Sequence, residues 1–242
     1  MESQKNLKRK ISVQKHFSRF VEQLNSTAFN RWVFTDIHGH YHHFAALLDT
    51  INYQGDGRLI FLGDYIDRGP YAEQVISRIR ELQDKFGKDK VIALQGNHED
   101  MLCQYMEAKI NQTFPQPLLF EDQVNFEIEK HYEWIKSLPF IHSDQDYHYV
   151  HGGLNPQKSI EKQQKDEVLW LRPQETPSST GEITQPIVCG HTPTPLLNSF
   201  WQKSTDIYVD SKKEIICIDT GCFFTGVLTV LNVSTGVYYQ TC

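Results

Sequence analysis

Several things are scarce in this 242-residue chain, and each scarcity removes a class of protein. The five cysteines (Cys103, Cys189, Cys217, Cys222 and Cys242) are scattered, odd in number and without a CxxC pair. That excludes a disulfide framework or a thiolate zinc site as the organising device and fits a reducing compartment. No apolar run approaches the roughly 18 to 20 residues of a membrane helix. The opening stretch MESQKNLKRK leads into no apolar signal core, so no membrane role and a cytoplasmic location are expected. Positive charge is scarce outside one short region. The formal net charge is −6, yet residues 1–20 hold six Lys or Arg against one Glu, which leaves −11 on the other 222 residues. A body that acidic repels nucleic-acid backbones, which are gripped by clustered Lys and Arg, and no nucleic-acid partner is expected. Repeats of fixed period and an interdomain linker are also missing. The expected organisation is a basic leader over residues 1–28, helical or frayed, and one domain over residues 29–242.

Composition is otherwise that of a globular protein, with 39% hydrophobic and 22% charged residues. Short apolar runs alternate with amphipathic segments, the pattern of an α/β architecture. RWVFTD (31–36), RLIFLGD (58–64), KVIALQGN (90–97), YHYVHGG (147–153) and QPIVCGH (185–191) read as strands, as do KEIICIDTG (213–221) and GVLTVLNV (226–233). Val75, Ile79, Leu82 and Phe86 recur at the spacing of one helical face. Stretches 42–51, 99–110 and 123–137 are expected to be helical too, and residues 173–186 to form a surface loop.

The first five strands share one peculiarity: each ends on a polar group. Asp36 and His38 follow the first, Asp64 the second, Asn97 and His98 the third, His151 the fourth and His191 the fifth. In α/β sheets ligands bind beyond the carboxyl ends of the strands, so five strand ends deliver these groups to one rim. Carboxylates, imidazoles and one amide without thiolate suit a hard to borderline divalent ion such as Mn, Fe or Zn. Six ligands exceed the needs of one tetrahedral ion and suit a pair sharing a bridging carboxylate, for which Asp64 is the candidate. Any single piece arises often by chance, and a lone histidine is more often a hydrogen-bonded surface or core residue than a ligand. HGHYHH (38–43) illustrates this: only His38 is selected, while His40, His42 and His43 are expected to face solvent or open the next helix. The argument rests on five such ends in order.

Read together, TDIHG (35–39), GDYIDRG (63–69), GNHE (96–99), HGG (151–153) and GHTPT (190–194) resemble the motif series of the phosphoprotein phosphatases, within the calcineurin-like metallophosphoesterases. The resemblance covers about residues 30–233. With LWLR (169–172), the GHTPT stretch looks most like the small bacterial Ser/Thr phosphatases. It implies an α/β fold with a central β-sandwich flanked by helices, and two divalent metal ions, with Mn favoured and Fe or Zn as alternatives. One ion would be held by Asp36, His38 and Asp64, the other by Asp64, Asn97, His151 and His191. The resemblance further implies a bridging hydroxide as nucleophile, His98 as general acid with Asp67 orienting it, and Arg68, Arg172 and Asn97 on the substrate phosphate. Thr35 departs from the family's usual glycine, and tuning of the adjacent metal site is the expected result.

For substrate, the intact Asp67-Arg68-Gly69 run points first to phosphomonoesters, and so to a Ser/Thr protein phosphatase with a phosphorylated protein as partner. The alternative is hydrolysis of diadenosine tetraphosphate or another dinucleoside polyphosphate. A catalytically inactive module that binds phosphorylated partners ranks below both, because every expected site position is filled.

Overall fold

A computed structural model describes residues 12–14, 29–113, 126–176, 181–197, 204–210, 212 and 214–241. Eleven strands lie in two sheets among the described residues. The first sheet has the order β1-β11-β10-β2-β3-β4, formed by β1 (Ser12–Gln14), β2 (Asn30–Phe34), β3 (Gly57–Phe61), β4 (Val91–Ala93), β10 (Thr229–Asn232) and β11 (Val237–Gln240). The second has the order β5-β6-β7-β9-β8, formed by β5 (Ile141–Ser143), β6 (His148–Val150), β7 (Ile187–Cys189), β8 (Tyr208–Asp210) and β9 (Ile215–Cys217). This is an α/β arrangement of two mixed sheets flanked by helices, the layered architecture that was expected. Of the leader, residues 12–14 pair with β11; the rest of residues 1–28 lies outside the described residues.

Alternation along the strands assembles the core. Leu59 and Phe61 of β3 face outward onto helices, while Ile60 and Leu62 face the other sheet. In β9, Ile216 and Ile218 point to the interlayer side, and Ile215 and Cys217 to the opposite face. Period-2 patterning that is apolar on both faces marks strands covered on both sides. The outer cover of the first sheet comes from α1 (Tyr41–Ile51), α2 (Ala72–Phe86), α3 (Asn97–Ile110) and α4 (Ile128–Lys136). They bury Phe44, Leu47, Val75, Ile79, Leu102 and Ile135 against Phe34 and Phe61. The expected helix over 123–137 begins at Ile128, and residues 114–125 lie outside the described residues. Of the further short helices, α5 (Lys165–Trp170) packs Val168 on the far face of the second sheet, and α6 (Thr194–Leu197) follows β7. A one-turn helix, α7 (Cys222–Thr225), follows β9.

β2, β3 and β4 run parallel, as do β6, β7 and β9. The five polar strand ends are therefore divided between two sheets. Asp36, Asp64 and Asn97 follow strands of the first, and His151 and His191 follow strands of the second. No helix among the described residues is long and apolar enough to cross a membrane.

Because Ile60 is fully buried between the sheets, Ile60→Ala should lower stability by about 2–5 kcal/mol. Urea unfolding should show a lower midpoint at unchanged slope; an unchanged midpoint would mean that the interlayer packing is not what holds the sheets together.

Candidate metal centre

The strand ends owe their shape to an unusual backbone. Among the described residues nine non-glycine residues have positive φ, and six of them are Asp36, His38, Asp64, Asp67, Arg68 and His191. A left-handed conformation costs an ordinary residue about 1–2 kcal/mol, so something must hold these turns. Part of the answer is backbone pairing that continues past the strands. The amides of Asp36, His38 and Gly39 donate to the carbonyls of Gly63, Asp64 and Tyr65 at 3.2, 2.8 and 2.8 Å. The two loops meet so closely that a Cβ on Gly39 would lie 2.4 Å from the Gly69 carbonyl oxygen.

The other part is Glu99, whose role the sequence reading passed over. Fully buried, its carboxylate accepts the amides of Asp64 and Tyr65 at 2.8 Å each and of Gly96 at 2.9 Å. It thus ties the loop after β3 to the start of α3. A glutamate at the third helical position bonding back to the residue before the helix is half of a capping box, and GNHE carries that signal. Burial, then the neighbouring Asp64, raise the Glu99 carboxyl to about 7.

These turns aim the side chains inward. His38 donates Nδ1–H to the Ile66 carbonyl at 2.7 Å, which leaves Nε2 3.4 Å from Asp64 Oδ2 and 3.9 Å from Asp36 Oδ1. His151 likewise donates Nδ1–H to Leu62 at 3.1 Å, and its Nε2 faces Asn97 Oδ1 at 2.7 Å and Asp64 Oδ1 at 3.4 Å. His191 Nδ1 lies 3.2 Å from Asn97 Oδ1, while its buried Nε2 has no hydrogen-bond partner among the described residues. Burial, with His98 and Arg68 nearby, lowers the His38 imidazole to about 3, and burial with His151 and Arg172 does the same for His191. Burial opposes ionisation of Asp64, yet the surrounding His151, His98 and His38 hold its carboxyl well below the usual range. The neutral His38 and His191 rings and the ionised Asp64, with converging lone pairs, suit a cation. Two overlapping groups satisfy metal-holding geometry, His38 with Asp64 and His98, and Asp36 with Asp64 and His151. Asp64 belongs to both. The orphaned Nε2 and this oxygen and nitrogen donor set fit two divalent ions.

Thr35 donates to Asp36 Oδ2 at 2.6 Å, and the same oxygen accepts the His191 amide at 2.9 Å. Both bonds fall on one oxygen and leave Oδ1 toward His38, so the threonine orients the carboxylate. Room for it comes from Gly190, where a Cβ would lie 2.0 Å from Thr35 Oγ1. A second buried carboxyl, Asp219, also went unread. Burial and Asp36 raise it well above its ordinary range, and it receives the Gly221 amide at 2.8 Å.

Beside the ligand groups, His98 Nδ1 is hydrogen-bonded to Asp67 Oδ2, and its Nε2 lies 3.3 Å from the Arg68 guanidinium and 3.8 Å from Asp64 Oδ2. Burial disfavours the charged ring, but Asp64 and the Asp67 bond outweigh it and hold the imidazole up at about 9. Such a group can give a proton at Nε2. Arg172, on the exposed chain after α5, acts on this centre through its charge beside His191. Of the remaining histidines in HGHYHH, His40 sits at the start of α1, His42 is exposed and His43 bonds Thr241 Oγ1 at 2.8 Å.

A family model described as calcineurin-like phosphoesterase matches residues 29–219. Among curated proteins the chain is similar to a symmetrical bis(5'-nucleosyl)-tetraphosphatase of Nitrosomonas europaea, 30% identical over 133 residues, which are 53% of this chain and 46% of that protein. It is also 39% identical over 67 residues to a candidate serine/threonine-protein phosphatase of Caenorhabditis elegans, covering 28% of this chain and 18% of the other. The chain spans about half the length of the bis(5'-nucleosyl)-tetraphosphatases it matches. A solved structure assigned to a candidate diadenosine tetraphosphatase superposes with a TM-score of 0.64 at 18% identity, over 90% of this chain and 95% of that one.

Two substitutions separate the roles read from this geometry. Glu99→Ala leaves four buried amides, those of Asp64, Tyr65, Ile66 and Gly96, without this acceptor and should cost about 3 kcal/mol or more together with metal affinity, read by thermal unfolding and metal titration. His98→Asn should retain metal content near wild type; loss of the metals would make His98 a ligand.

Proposed function

Since the chain belongs to the calcineurin-like phosphoesterases and is a hydrolase of that family, we propose that it cleaves a dinucleoside polyphosphate between its phosphates. The observation that carries the substrate is the similarity to curated bis(5'-nucleosyl)-tetraphosphatases. It shifts the weight from the Ser/Thr phosphatase favoured by the sequence reading to the alternative named beside it. Bound divalent ions would supply Lewis acidity toward the phosphate and toward the attacking water.

Asp36, His38, Asp64, Asn97, His151 and His191 would hold those ions. Arg68 offers forked donors to phosphate oxygens from a position 3.3 Å from His98, and Arg172 adds charge on the His191 side. His98 gives its Nε2 proton to the departing oxygen, and Asp67 keeps the ring turned by accepting Nδ1–H. For a dinucleoside tetraphosphate, water adds to one of the two central phosphorus atoms as its bond to the bridging oxygen breaks, and two nucleoside diphosphates are released. A second reading, a protein Ser/Thr phosphatase acting on phosphorylated protein, is supported by the intact Asp67-Arg68-Gly69 run and by the similarity to the C. elegans protein.

The leaving group distinguishes the two. A serine or threonine alkoxide is a poor leaving group and needs a full proton, whereas a nucleoside diphosphate leaves as a stable anion. Metal-stripped protein re-loaded with manganese should release product from diadenosine tetraphosphate faster than from a phosphothreonine peptide. The reverse preference would restore the phosphatase reading. In the same assay His98→Asn should slow peptide turnover by roughly 100-fold or more and dinucleotide turnover by less.

A further inference from the structure

Two groups of aromatic side chains border the candidate metal centre without being part of it. On the side of His38, α7 presents Phe223 and Phe224, 39% and 51% exposed. The Arg68 guanidinium carbon sits 4.1 Å from the Phe223 ring centroid, and the His38 ring meets the same phenyl edge-on at 5.9 Å. Phe224 meets Phe223 at 4.8 Å in a T-shaped contact. Its own ring is laid over Gly221, where a Cβ would lie 2.3 Å from Phe224 Cε1. On the side of His191, Trp170 at the end of α5 is 44% exposed and stands nearly perpendicular to the imidazole, with ring centroids 5.4 Å apart.

Exposing large rings costs hydration free energy, and single exposed apolar residues need no explanation. Here, however, two of the seven large hydrophobic residues that are exposed among the described residues, Phe223 and Trp170, touch His38 and His191 of the candidate metal centre, and a third, Phe224, packs on Phe223. Each is held by a backing contact, Phe223 by Arg68, Phe224 by the Gly221 backbone and Trp170 by His191. Rings held in place lose little entropy when a flat partner covers them. The two platforms touch opposite ligand sets, one His38 and the other His191. A ligand whose phosphates lie between them carries whatever is attached to each end of its phosphate chain toward a platform.

We propose that Phe223 with Phe224, and Trp170, are stacking platforms for the two nucleobases of a dinucleoside polyphosphate, and that they set the preference for nucleotide over other phosphate compounds. This rests on the dinucleoside polyphosphate reading above. Every base has a π-face, so the platforms select for a base at each end rather than for one particular base. Phe223 has a further part, because its ring fixes the guanidinium that grips the phosphate.

The test compares inhibition of diadenosine tetraphosphate hydrolysis by adenosine diphosphate and by inorganic pyrophosphate, which lacks a base, with a phosphothreonine peptide as parallel substrate. In wild type adenosine diphosphate should bind more tightly than pyrophosphate. Trp170→Leu and Phe224→Leu should each shrink that advantage by about tenfold, while Trp170→Phe should keep it within about twofold. If wild type hydrolyses the dinucleotide but neither leucine variant changes the ratio, the platforms are overturned and the substrate reading stands. A change in one variant alone overturns the two-sided arrangement. Wild type that hydrolyses only the peptide overturns the dinucleotide reading, and the platforms with it.

Discussion

The buried carboxylate of Glu99 is the interaction on which the rest of the centre depends. Four amides from two separate segments converge on it, and those segments carry Asp64, Asn97 and His98. The left-handed turns at Asp64, Asp67 and Arg68 are unfavourable in isolation, by about 1–2 kcal/mol each. The turn at Asp64 persists because its amide, and that of Tyr65 beside it, find their acceptor in Glu99. The first turn of α3 adds to this, since the His98 amide donates to Asp64 Oδ1 at 3.1 Å and a helix N-terminus favours negative charge. A single acid thus converts two strand ends into a site before any ion is considered.

Electrostatics follow from that burial. Asp64 is kept ionised by the histidines around it, while Asp219 and Glu99, equally buried but with chiefly other carboxylates as charged neighbours, are pushed toward the neutral form. The centre can therefore hold several acids without carrying all their charges. Thr35 belongs to the same economy of lone pairs. By occupying one oxygen of Asp36 it reserves the other, and Gly190 leaves the space that this requires.

Much of this was legible in the sequence. Apolar runs that stop on Asp, Asn or His marked the ends of β2, β3, β4, β6 and β7, and the helical spacing of Val75, Ile79 and Leu82 marked α2, because burial on a defined face leaves a period. Strands β5, β8 and β11 carry no such mark; β5 and β8 are half-buried or exposed along their whole length, and β11 alternates half-buried with buried residues. The partition of the five strand ends into two sheets was equally hidden, since β6 and β7 read like β3 and β4. Glu99 was visible as a letter in GNHE but not as a clamp, because its partners are amides more than thirty residues away. The aromatic residues of α7 showed no periodicity, as a single turn between two left-handed glycines, Gly221 and Gly226, is too short to have one.

The division of ligands between the sheets makes the centre a gauge of how the layers slide. Asp64 follows the first sheet and His151 the second, with 3.4 Å between their facing atoms. Shear of one layer over the other by a single ångström would be felt there undiminished, because both residues sit at strand ends with no compliant linker between strand and ligand. Side chains such as Val33, Val188, Ile216 and Leu231, which interlock the layers, consequently set the spacing of atoms they never touch. Distance from the centre is then a poor guide to which substitutions disturb it; position along the slip plane is a better one.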